Sequence, residues 1–190
     1  MTVVFDFDKT LTDTDTTLPF FLFCGKNKIK GKIFIIIVYF FLKILSKLHV
    51  ISVRKEKEIG LLLFCPKNIN EFKKQCALFS KQIKLNDIYY NEYLKLKSPD
   101  NKLIVASASF QYYLDFLFPE SVVFGTTLRV NSIGKILGIK THPFREEKSK
   151  VLLENHINKI DLFYTDSIND ASTVKLAQKT RWVKNGKIVN

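Results

Sequence analysis

The stretch that decides the fold is residues 1–15, MTVVFDFDKTLTDTD. Residues 3–5 are β-branched or aromatic and polar residues follow at once, which predicts a short buried strand ending at Asp6. Asp6 and Asp8 are two positions apart, so their side chains leave an extended chain on the same side. Carboxylates this close repel each other unless a cation lies between them or one is protonated. Either arrangement suits phosphoryl transfer, and the alternative is a solvated strand end.

The composition indicates one globular domain with room for an insertion, because the chain has 190 residues, 46% hydrophobic and 25% charged. The net charge of +12 favours anionic partners such as phosphates or an acidic membrane surface. The lysines are scattered rather than gathered in one run. We therefore expect no nucleic-acid partner.

The cysteines and histidines predict neither disulfides nor a zinc site. The three cysteines form no C-x-x-C pair, and His49, His142 and His156 are far apart without ligand spacing. The first residues enter the predicted strand without the pattern of a secretory signal peptide. We expect a cytoplasmic protein, with peripheral attachment to a membrane as an open alternative.

A change of pattern along the chain predicts two parts. Residues 14–97 carry apolar residues at spacings of three and four, which predicts an inserted all-helical cap. Residues 1–13 and 98–190 alternate short apolar runs with helical patterns, which predicts an α/β core with a parallel sheet and helices on both faces. The later strands are expected near 103–106, 122–124, 126–130, 135–139, 160–164, 181–183 and 188–189, and the core helices over 110–118, 147–156 and 169–177.

The most apolar stretch of the cap is residues 33–42, IFIIIVYFFL. As a helix it is apolar around most of its circumference. Its polar stripe consists of Lys32, Tyr39, Lys43 and Ser46. A membrane span is not favoured, because spanning takes roughly 20 apolar residues. Three interpretations stay open: burial within the cap, an oligomer contact, or an interfacial helix through which residues 26–57, basic at both ends, bind an anionic membrane surface.

Further polar side chains follow later strands of the predicted core. Ser107 comes after residues 103–106, and Asp166 comes after residues 162–165, with Asp170 four positions on. Ligands of such sheets bind outside the carboxyl ends of the strands. We therefore expect these groups to converge with the first carboxylates around an anion and a hard cation.

Two lysines and one serine complete the candidate residues. Lys148 and Lys150 stand at the start of a helix between these strands, where a lysine can neutralise a bound phosphate. Ser109 is expected to cap the helix that follows Ser107.

Taken in order, these residues resemble the four motifs of haloacid dehalogenase-like phosphatases. The motifs are Asp6-Phe7-Asp8-Lys9-Thr10, Ser107, Lys148, and Asp166-Ser167-Ile168-Asn169-Asp170. The resemblance spans nearly the whole chain. It implies a Rossmann-like core in which the helical insertion is a small cap.

The resemblance also implies Mg²⁺-dependent hydrolysis of a phosphomonoester. Asp6 would be the nucleophile that forms an aspartyl-phosphate, and Asp8 the acid and base. The implied magnesium ligands are Asp6, the backbone carbonyl of Asp8, and Asp166. The implied phosphate ligands are Ser107 and Lys148. Of the two lysines, Lys148 matches the position of the family lysine better than Lys150 does. The supporting residues are Thr10 and Asp170.

Two related chemistries match the first motif less well. Asp8-Lys9-Thr10 also resembles the phosphorylation motif of ion-pumping ATPases, in which Asp8 would be the nucleophile, but Leu11 stands where the pumps have glycine. Dehalogenases lack a second acid at the position of Asp8. Phosphomonoester hydrolysis is therefore favoured.

Two branches of the family compete for the substrate. Phosphoserine phosphatases share the size and the cap, and Asp15 and Arg54 lie roughly where those enzymes bind the amino and carboxylate groups, although Ala108-Ser109 replaces their Gly-Gly. The apolar cap stretch and the REEK sequence at 145–148 instead resemble the phosphatidylglycerophosphatase C type, whose substrate is a lipid phosphate. A non-catalytic membrane- or nucleic-acid-binding module is a further alternative, against which the intact carboxylates argue.

Overall fold

A computed structural model describes residues 1–25 and 29–189 of the chain. These residues form a seven-stranded sheet in the order β4-β3-β2-β1-β5-β6-β7. The strands are β1 Thr2–Phe5, β2 Lys102–Phe110, β3 Val122–Val130, β4 Ile136–Thr141, β5 Ile160–Thr165, β6 Ala177–Lys184 and β7 Lys187–Val189. The five central strands are parallel, while β4 and β7 pair antiparallel at the two edges. The predicted α/β, Rossmann-like core is confirmed.

Helices account for the rest of the described regular structure. They are α1 Thr17–Cys24, α2 Ile29–Lys47, α3 Val53–Phe64, α4 Ile69–Ser80, α5 Leu94–Leu96, α6 Gln111–Leu117, α7 Glu146–Glu154 and α8 Ala171–Val174, with a π-helical turn at Tyr89–Tyr93 and a 3-10 turn at Ile168–Asp170. The first five helices fall inside the predicted cap, 14–97. The cap boundaries themselves stay a prediction.

Two core elements differ from the sequence-based expectation. The runs 122–124 and 126–130 belong to one strand, β3, which pairs with β4 around a turn where Gly134 has a φ of 79°. The helix predicted over 169–177 ends at Val174, because the chain from Ala177 onward pairs with β5. Helical and strand periodicity are hard to separate over such short stretches.

Alternation along β1 distributes the core between the two faces of the sheet. Val3 and Phe5 face a large cluster shared with the cap and α6, whereas Val4 faces a smaller cluster that includes Leu152 of α7. Because side chains alternate along a strand, Asp6 follows Val4 onto the α7 face. The strand thereby directs its carboxylate toward the helix that carries Lys148.

Helix α2 lies with its apolar side outward. Ile35, Tyr39, Leu42 and Ser46 are buried, and Lys43 pairs with the buried Glu56 at 2.9 Å. The exposed large apolar residues of α2 and the turn after it are Ile33, Phe34, Ile36, Ile37, Phe40, Phe41, Ile44, Leu48 and Val50. We call these nine residues the α2 apolar face. One of the three interpretations, burial of this apolar face within the cap, is therefore wrong. Most residues of the predicted polar stripe pack against the protein instead, and the apolar residues face outward.

The predicted basic flank of α2 is described only in part, since Lys26 and Lys28 lie outside the described residues. Across the described ranges, no helix combines the length and the apolar content needed to cross a membrane.

Candidate active site

Strand register places the predicted site residues at one edge of the sheet. Phe5 lies opposite Val105 of β2 and Tyr164 of β5, and the amide of Asp6 donates to the carbonyl of Tyr164 at 2.9 Å. When this register is extended by two residues along each chain, Ser107 and Asp166 lie on either side of the residue that follows Asp6. The carboxyl ends of the three strands therefore meet, as the sequence predicts.

Asp6 is held by a buried lysine. The Nζ of Lys148 donates to Oδ1 of Asp6 at 2.9 Å and to Oδ2 of Asp170 at 2.8 Å, and the hydroxyl of Thr165 donates to the same Asp170 oxygen at 2.7 Å. Burial alone would lower the pKa of Lys148, but the two carboxylates outweigh it and raise that pKa. The side chain of Lys148 therefore stays protonated and positively charged. Lys150, in contrast, is exposed and pairs with Glu147 at 3.3 Å.

The Asp6 carboxylate has an unusual affinity for protons. Burial raises its pKa from 3.8 to about 7; the ammonium of Lys148 opposes this rise, and the charges of Asp170 and Asp166 add to it. The ammonium of Lys148 thus orients the Asp6 carboxylate and opposes its neighbouring carboxylates, while burial is the main cause of the raised pKa.

Asp8 lies in a different environment, held by neutral donors. Its Oδ1 accepts from the amide and the hydroxyl of Thr16 at 2.9 and 2.7 Å, and its Oδ2 accepts from the Ser109 hydroxyl at 2.5 Å. Burial raises its pKa from 3.8 to about 6, with a further contribution from Asp15, while the hydrogen bond from Ser109 lowers it. Asp8 therefore holds a proton more readily than a solvent-exposed aspartate does.

The prediction that Ser109 caps the following helix is wrong. Strand β2 continues through Phe110, which occupies the N-cap position of α6, so Ser109 is still extended. Its hydroxyl instead reaches Asp8, and its amide donates to the hydroxyl of Ser107 at 3.1 Å. Ser109 therefore links the second predicted motif to the first.

The remaining predicted site residues occupy this edge in different ways. Ser107 is buried within β2, three positions before the strand ends, and Asp166 is half-buried just after β5. Thr10 is also buried, and its hydroxyl has no hydrogen-bond partner within the described ranges. Its amide donates to Phe7, so Thr10 helps to close the loop after β1.

The arrangement fits Mg²⁺ by its charge. Burial raises the pKa of Asp166, and Asp170 adds to that effect while Lys9 opposes it. Asp6, Asp166 and Asp170 thus share one region in which Lys148 is the buried cation. A group of three or more His, Cys, Asp or Glu residues able to form a full metal site is absent from the described part of the chain. Magnesium retains several waters and needs only one or two carboxylates, so the donors suit it.

The cap supplies a buried lysine that the sequence does not mark. Lys57 of α3 donates to the carbonyl of Ala108 at 2.6 Å and lies 5.0 Å from the centre of the Phe110 ring. Burial lowers its pKa, which nearby Asp15 and Asp8 counteract. Its spacing of one helical turn from Arg54 is the only sequence signal, and a lysine on a helix is ordinarily a solvated residue.

The two predicted specificity residues are both exposed, and only Asp15 lies near one of the buried carboxylates among the contacts described. Asp15 is exposed, accepts from the amide of Thr17 at 2.7 Å, and lies close enough to Asp8 to raise its pKa. Arg54 is exposed at the start of α3, where its Nη2 donates to the carbonyls of Ile139 and Lys140 at 2.8 and 3.0 Å. Arg54 therefore connects α3 to β4, and no described contact joins it to the carboxylates of Asp6 and Asp8.

Comparison with known proteins agrees with this geometry. A family model described as haloacid dehalogenase-like hydrolase matches residues 3–175. No curated protein sequence matches the chain.

Three solved structures illustrate the shared fold. A protein with unknown function from Bordetella pertussis Tohama I has a TM-score of 0.74 at 17% identity, over 94% of this chain and 87% of that chain. A phospho-aspartyl intermediate analogue of phosphoserine phosphatase has a TM-score of 0.59 at 17% identity, over 94% and 84%. Cytosolic 5'-nucleotidase IIIB bound to cytidine has a TM-score of 0.58 at 17% identity, over 96% and 71%. At these identities the likeness concerns the fold.

Proposed function

Because the chain belongs to the haloacid dehalogenase-like hydrolase family, we propose that it is a magnesium-dependent phosphatase that hydrolyses a phosphomonoester through an aspartyl-phosphate on Asp6. The observation that carries the proposal is the contrast between the two carboxylates of the first motif. Asp6 is oriented by the ammonium of Lys148, whereas Asp8 is held by the neutral donors Thr16 and Ser109. Carboxylates in environments this different take different roles.

The contacts support a separate role for each residue in the proposed reaction. Asp6 attacks phosphorus, while Asp8 in its protonated form gives its proton to the leaving oxygen and, once ionised, takes one from the water that hydrolyses the intermediate. Lys148 and Ser107 hold the oxygens of the transferred phosphoryl group. Mg²⁺ bound by Asp6, Asp166 and the Asp8 carbonyl would supply charge that favours the ionised nucleophile and the phosphoryl oxygens.

The reaction is tested by phosphate release from a panel of monoesters with and without Mg²⁺. The panel contains phosphoserine, nucleotides, sugar phosphates and phosphatidylglycerophosphate, and Asp6→Asn is the control. We expect Mg²⁺-dependent release that Asp6→Asn abolishes. Release that persists unchanged in Asp6→Asn would overturn the proposal.

For the substrate, we favour a lipid phosphate because of the α2 apolar face. Phe34, Ile37, Phe40, Phe41 and Ile44 are each between 55% and 61% exposed. A contiguous apolar surface of this kind is costly in water, and a membrane interface covers it. The net charge of +12 complements an anionic leaflet. The phosphatidylglycerophosphatase C type of activity matches both features.

Vesicle flotation tests this surface with a matched control. The double variant Phe40→Ser, Phe41→Ser removes two aromatic rings from α2, and Phe116→Ser removes a ring of equal exposure, 55%, from α6. We expect the wild type and Phe116→Ser to float with anionic vesicles and the double variant to lose most of that binding. Equal binding by all three would refute the membrane role. Dimerisation that the double variant abolishes, without vesicle binding, would assign the face to an oligomer contact instead.

The second candidate substrate is phosphoserine or another small soluble monoester. The position of Asp15 beside Asp8 favours it, since an acid there suits a substrate ammonium group. Activity on soluble monoesters, none on the lipid phosphate, and no vesicle binding would select this candidate.

A further inference from the structure

The proposed phosphate ligand of β2 lies in an irregular part of that strand. Ala106 lies opposite Phe124 of β3 and Phe110 lies opposite Thr126, so four steps along β2 are matched by two along β3. Residues 107–109 span this irregularity. An extra residue in one strand interrupts the regular ladder of hydrogen bonds and redirects side chains, and such bulges are common beside active sites. The conformation of residues 107–109 therefore depends on the side chains that bind their backbone.

One carbonyl of this segment accepts from two side chains. The carbonyl of Ala108 accepts from Nζ of Lys57 at 2.6 Å and from the hydroxyl of Thr126 at 2.5 Å. Lys57 is 6% exposed, and its Nζ lies 5.0 Å from the centre of the Phe110 ring. Two donors, one from α3 of the cap and one from β3 of the core, thus fix the direction of this carbonyl.

The other end of the same peptide group binds the serine. The amide of Ser109 donates to the hydroxyl oxygen of Ser107 at 3.1 Å. The carbonyl of Ala108 and the amide of Ser109 belong to one planar peptide unit and point in opposite directions. The donors that fix the carbonyl therefore also fix the amide, and the amide in turn fixes the oxygen of Ser107.

This hydrogen bond gives the hydroxyl of Ser107 the polarity that a phosphate ligand needs. A hydroxyl has one hydrogen to donate, and an oxygen that accepts from an amide keeps that hydrogen for another partner. The oxygens of an ionised phosphate group are acceptors. Ser107 is thus oriented as a donor. The hydroxyl of Ser109 donates to Asp8 at 2.5 Å, so the same segment also holds the second carboxylate of the site.

We propose that Lys57 is a positioning residue for the phosphatase reaction, which acts from the cap through the Ala108 carbonyl to orient the hydroxyl of Ser107 toward the phosphoryl group. The inference rests on the proposed function, in which Ser107 is a phosphate ligand, and it assigns Lys57 no contact with the substrate. One hydrogen bond thus makes phosphate binding in the core depend on a residue of the cap.

A double-mutant cycle tests this role on p-nitrophenyl phosphate and on each panel ester that the wild type hydrolyses. Lys57→Met removes the donor and keeps most of the side-chain volume, and the loss of a buried amine favours folding of the variant. We expect Lys57→Met to lower kcat/KM by about 10- to 100-fold, since small misplacements of a catalytic group are costly. In the Ser107→Ala background the same change should cost less than about 3-fold, because the group that Lys57 positions is gone.

The matched control is a lysine at an exposed position of the cap. Lys74→Met should leave kcat/KM unchanged with Ser107 present or replaced by alanine. A purely structural role of Lys57 predicts that Lys57→Met lowers activity by the same factor in both Ser107 backgrounds, and that result would overturn the inference.

Inhibition by orthovanadate, which carries no leaving group, gives a second readout. We expect Lys57→Met to weaken this inhibition by a factor similar to its loss in kcat/KM, because the change lies in the phosphate site. Orthovanadate inhibition that stays at the wild-type level while ester hydrolysis falls would overturn the inference and place Lys57 against the leaving group.

Thr126→Val covers the case in which Lys57→Met does not fold. It removes the other donor to the Ala108 carbonyl, so we expect a loss in kcat/KM that again nearly disappears in the Ser107→Ala background. A loss that persists there would overturn the route through Ala108 and leave the phosphatase intact. No Asp6-dependent release from any monoester would overturn the proposed function together with this inference.

Discussion

Replacement of Asp6 by Asn is expected to stabilise the protein at alkaline pH while it abolishes catalysis. The pKa of Asp6 rises from 3.8 to about 7 in the folded protein because the carboxylate is buried, with Asp170 and Asp166 adding negative charge. An acid that binds its proton more tightly when folded destabilises the fold once it is ionised. The penalty is absent below about pH 4, grows between about pH 4 and 7, and is complete above pH 7.

The magnitude follows from the gap between the two values. At about 1.4 kcal/mol per pH unit, the interval from 3.8 to about 7 corresponds to about 4 kcal/mol of unfolding free energy. Asn carries no charge, and its amide oxygen can still accept from Lys148, so the variant escapes most of this cost. We expect Asp6→Asn to match the wild type near pH 3.5 and to exceed it by about 2–4 kcal/mol near pH 8.

Urea unfolding across this pH range, in the presence of a chelator, measures the effect. Asp87→Asn at an exposed site is the control and should follow the wild-type curve. Mg²⁺ added near pH 8 should recover part of the lost stability in the wild type and less in Asp6→Asn, because the ion favours the ionised carboxylate. Parallel stability curves for the wild type and Asp6→Asn would refute the assignment of Asp6 as a destabilised, buried acid.

Three further predictions concern the residues around Asp6. Asp8→Asn should lower kcat/KM on alkyl monoesters by about 10²- to 10⁴-fold and on p-nitrophenyl phosphate by less, because a good leaving group needs no proton; equal losses on both would contradict the acid role. Ser109→Ala removes a hydrogen bond that lowers the pKa of Asp8, so the limb of the pH–rate profile near about pH 6 should move to higher pH; an unmoved limb would assign it to another group. Lys148→Met should lower kcat by about 10²-fold or more, whereas the exposed Lys150→Met should leave it unchanged, and the reverse order would exchange the two lysines.

The position of the site at the carboxyl ends of the strands could be predicted from the sequence, because each site residue directly follows an apolar run that marks its strand. Polar residues that follow parallel strands lie at the same edge of the sheet. The location of Asp6, Ser107 and Asp166 could therefore be predicted once the three strands were recognised as parallel. The prediction that Ser109 caps a helix was wrong because β2 pairs with β3 as far as Phe110, beyond the point where the sequence of β2 first becomes polar. Strand ends are set by pairing partners that lie far away in the chain.

The partners of Asp8 and His142 show what the sequence could not supply. Ser109 contacts Asp8 across 101 positions of sequence, and Lys57 contacts Ala108 across 51. Neither contact belongs to a periodic pattern, because the first depends on the pairing of β1 with β2 and the second on how the cap docks against the core. His142 likewise has no ligand spacing in the sequence, and the structure shows that its Nδ1 pairs with the Thr126 hydroxyl while, among the described residues, its Nε2 has no hydrogen-bond partner.

Helix α2 shows most clearly how packing changes the meaning of a pattern. A narrow polar stripe on an apolar helix predicts a polar side toward water, yet Tyr39 and Ser46 are buried and Lys43 reaches inward to Glu56. The ion pair therefore fixes the helix with its apolar face outward. The C-terminal end of α2 also lines a cavity between the turn from α2 to α3 and the loop from β4 to α7, through Lys43 and Lys47. A membrane interface that covers the α2 apolar face therefore requires this orientation of the helix, which the ion pair between Lys43 and Glu56 maintains.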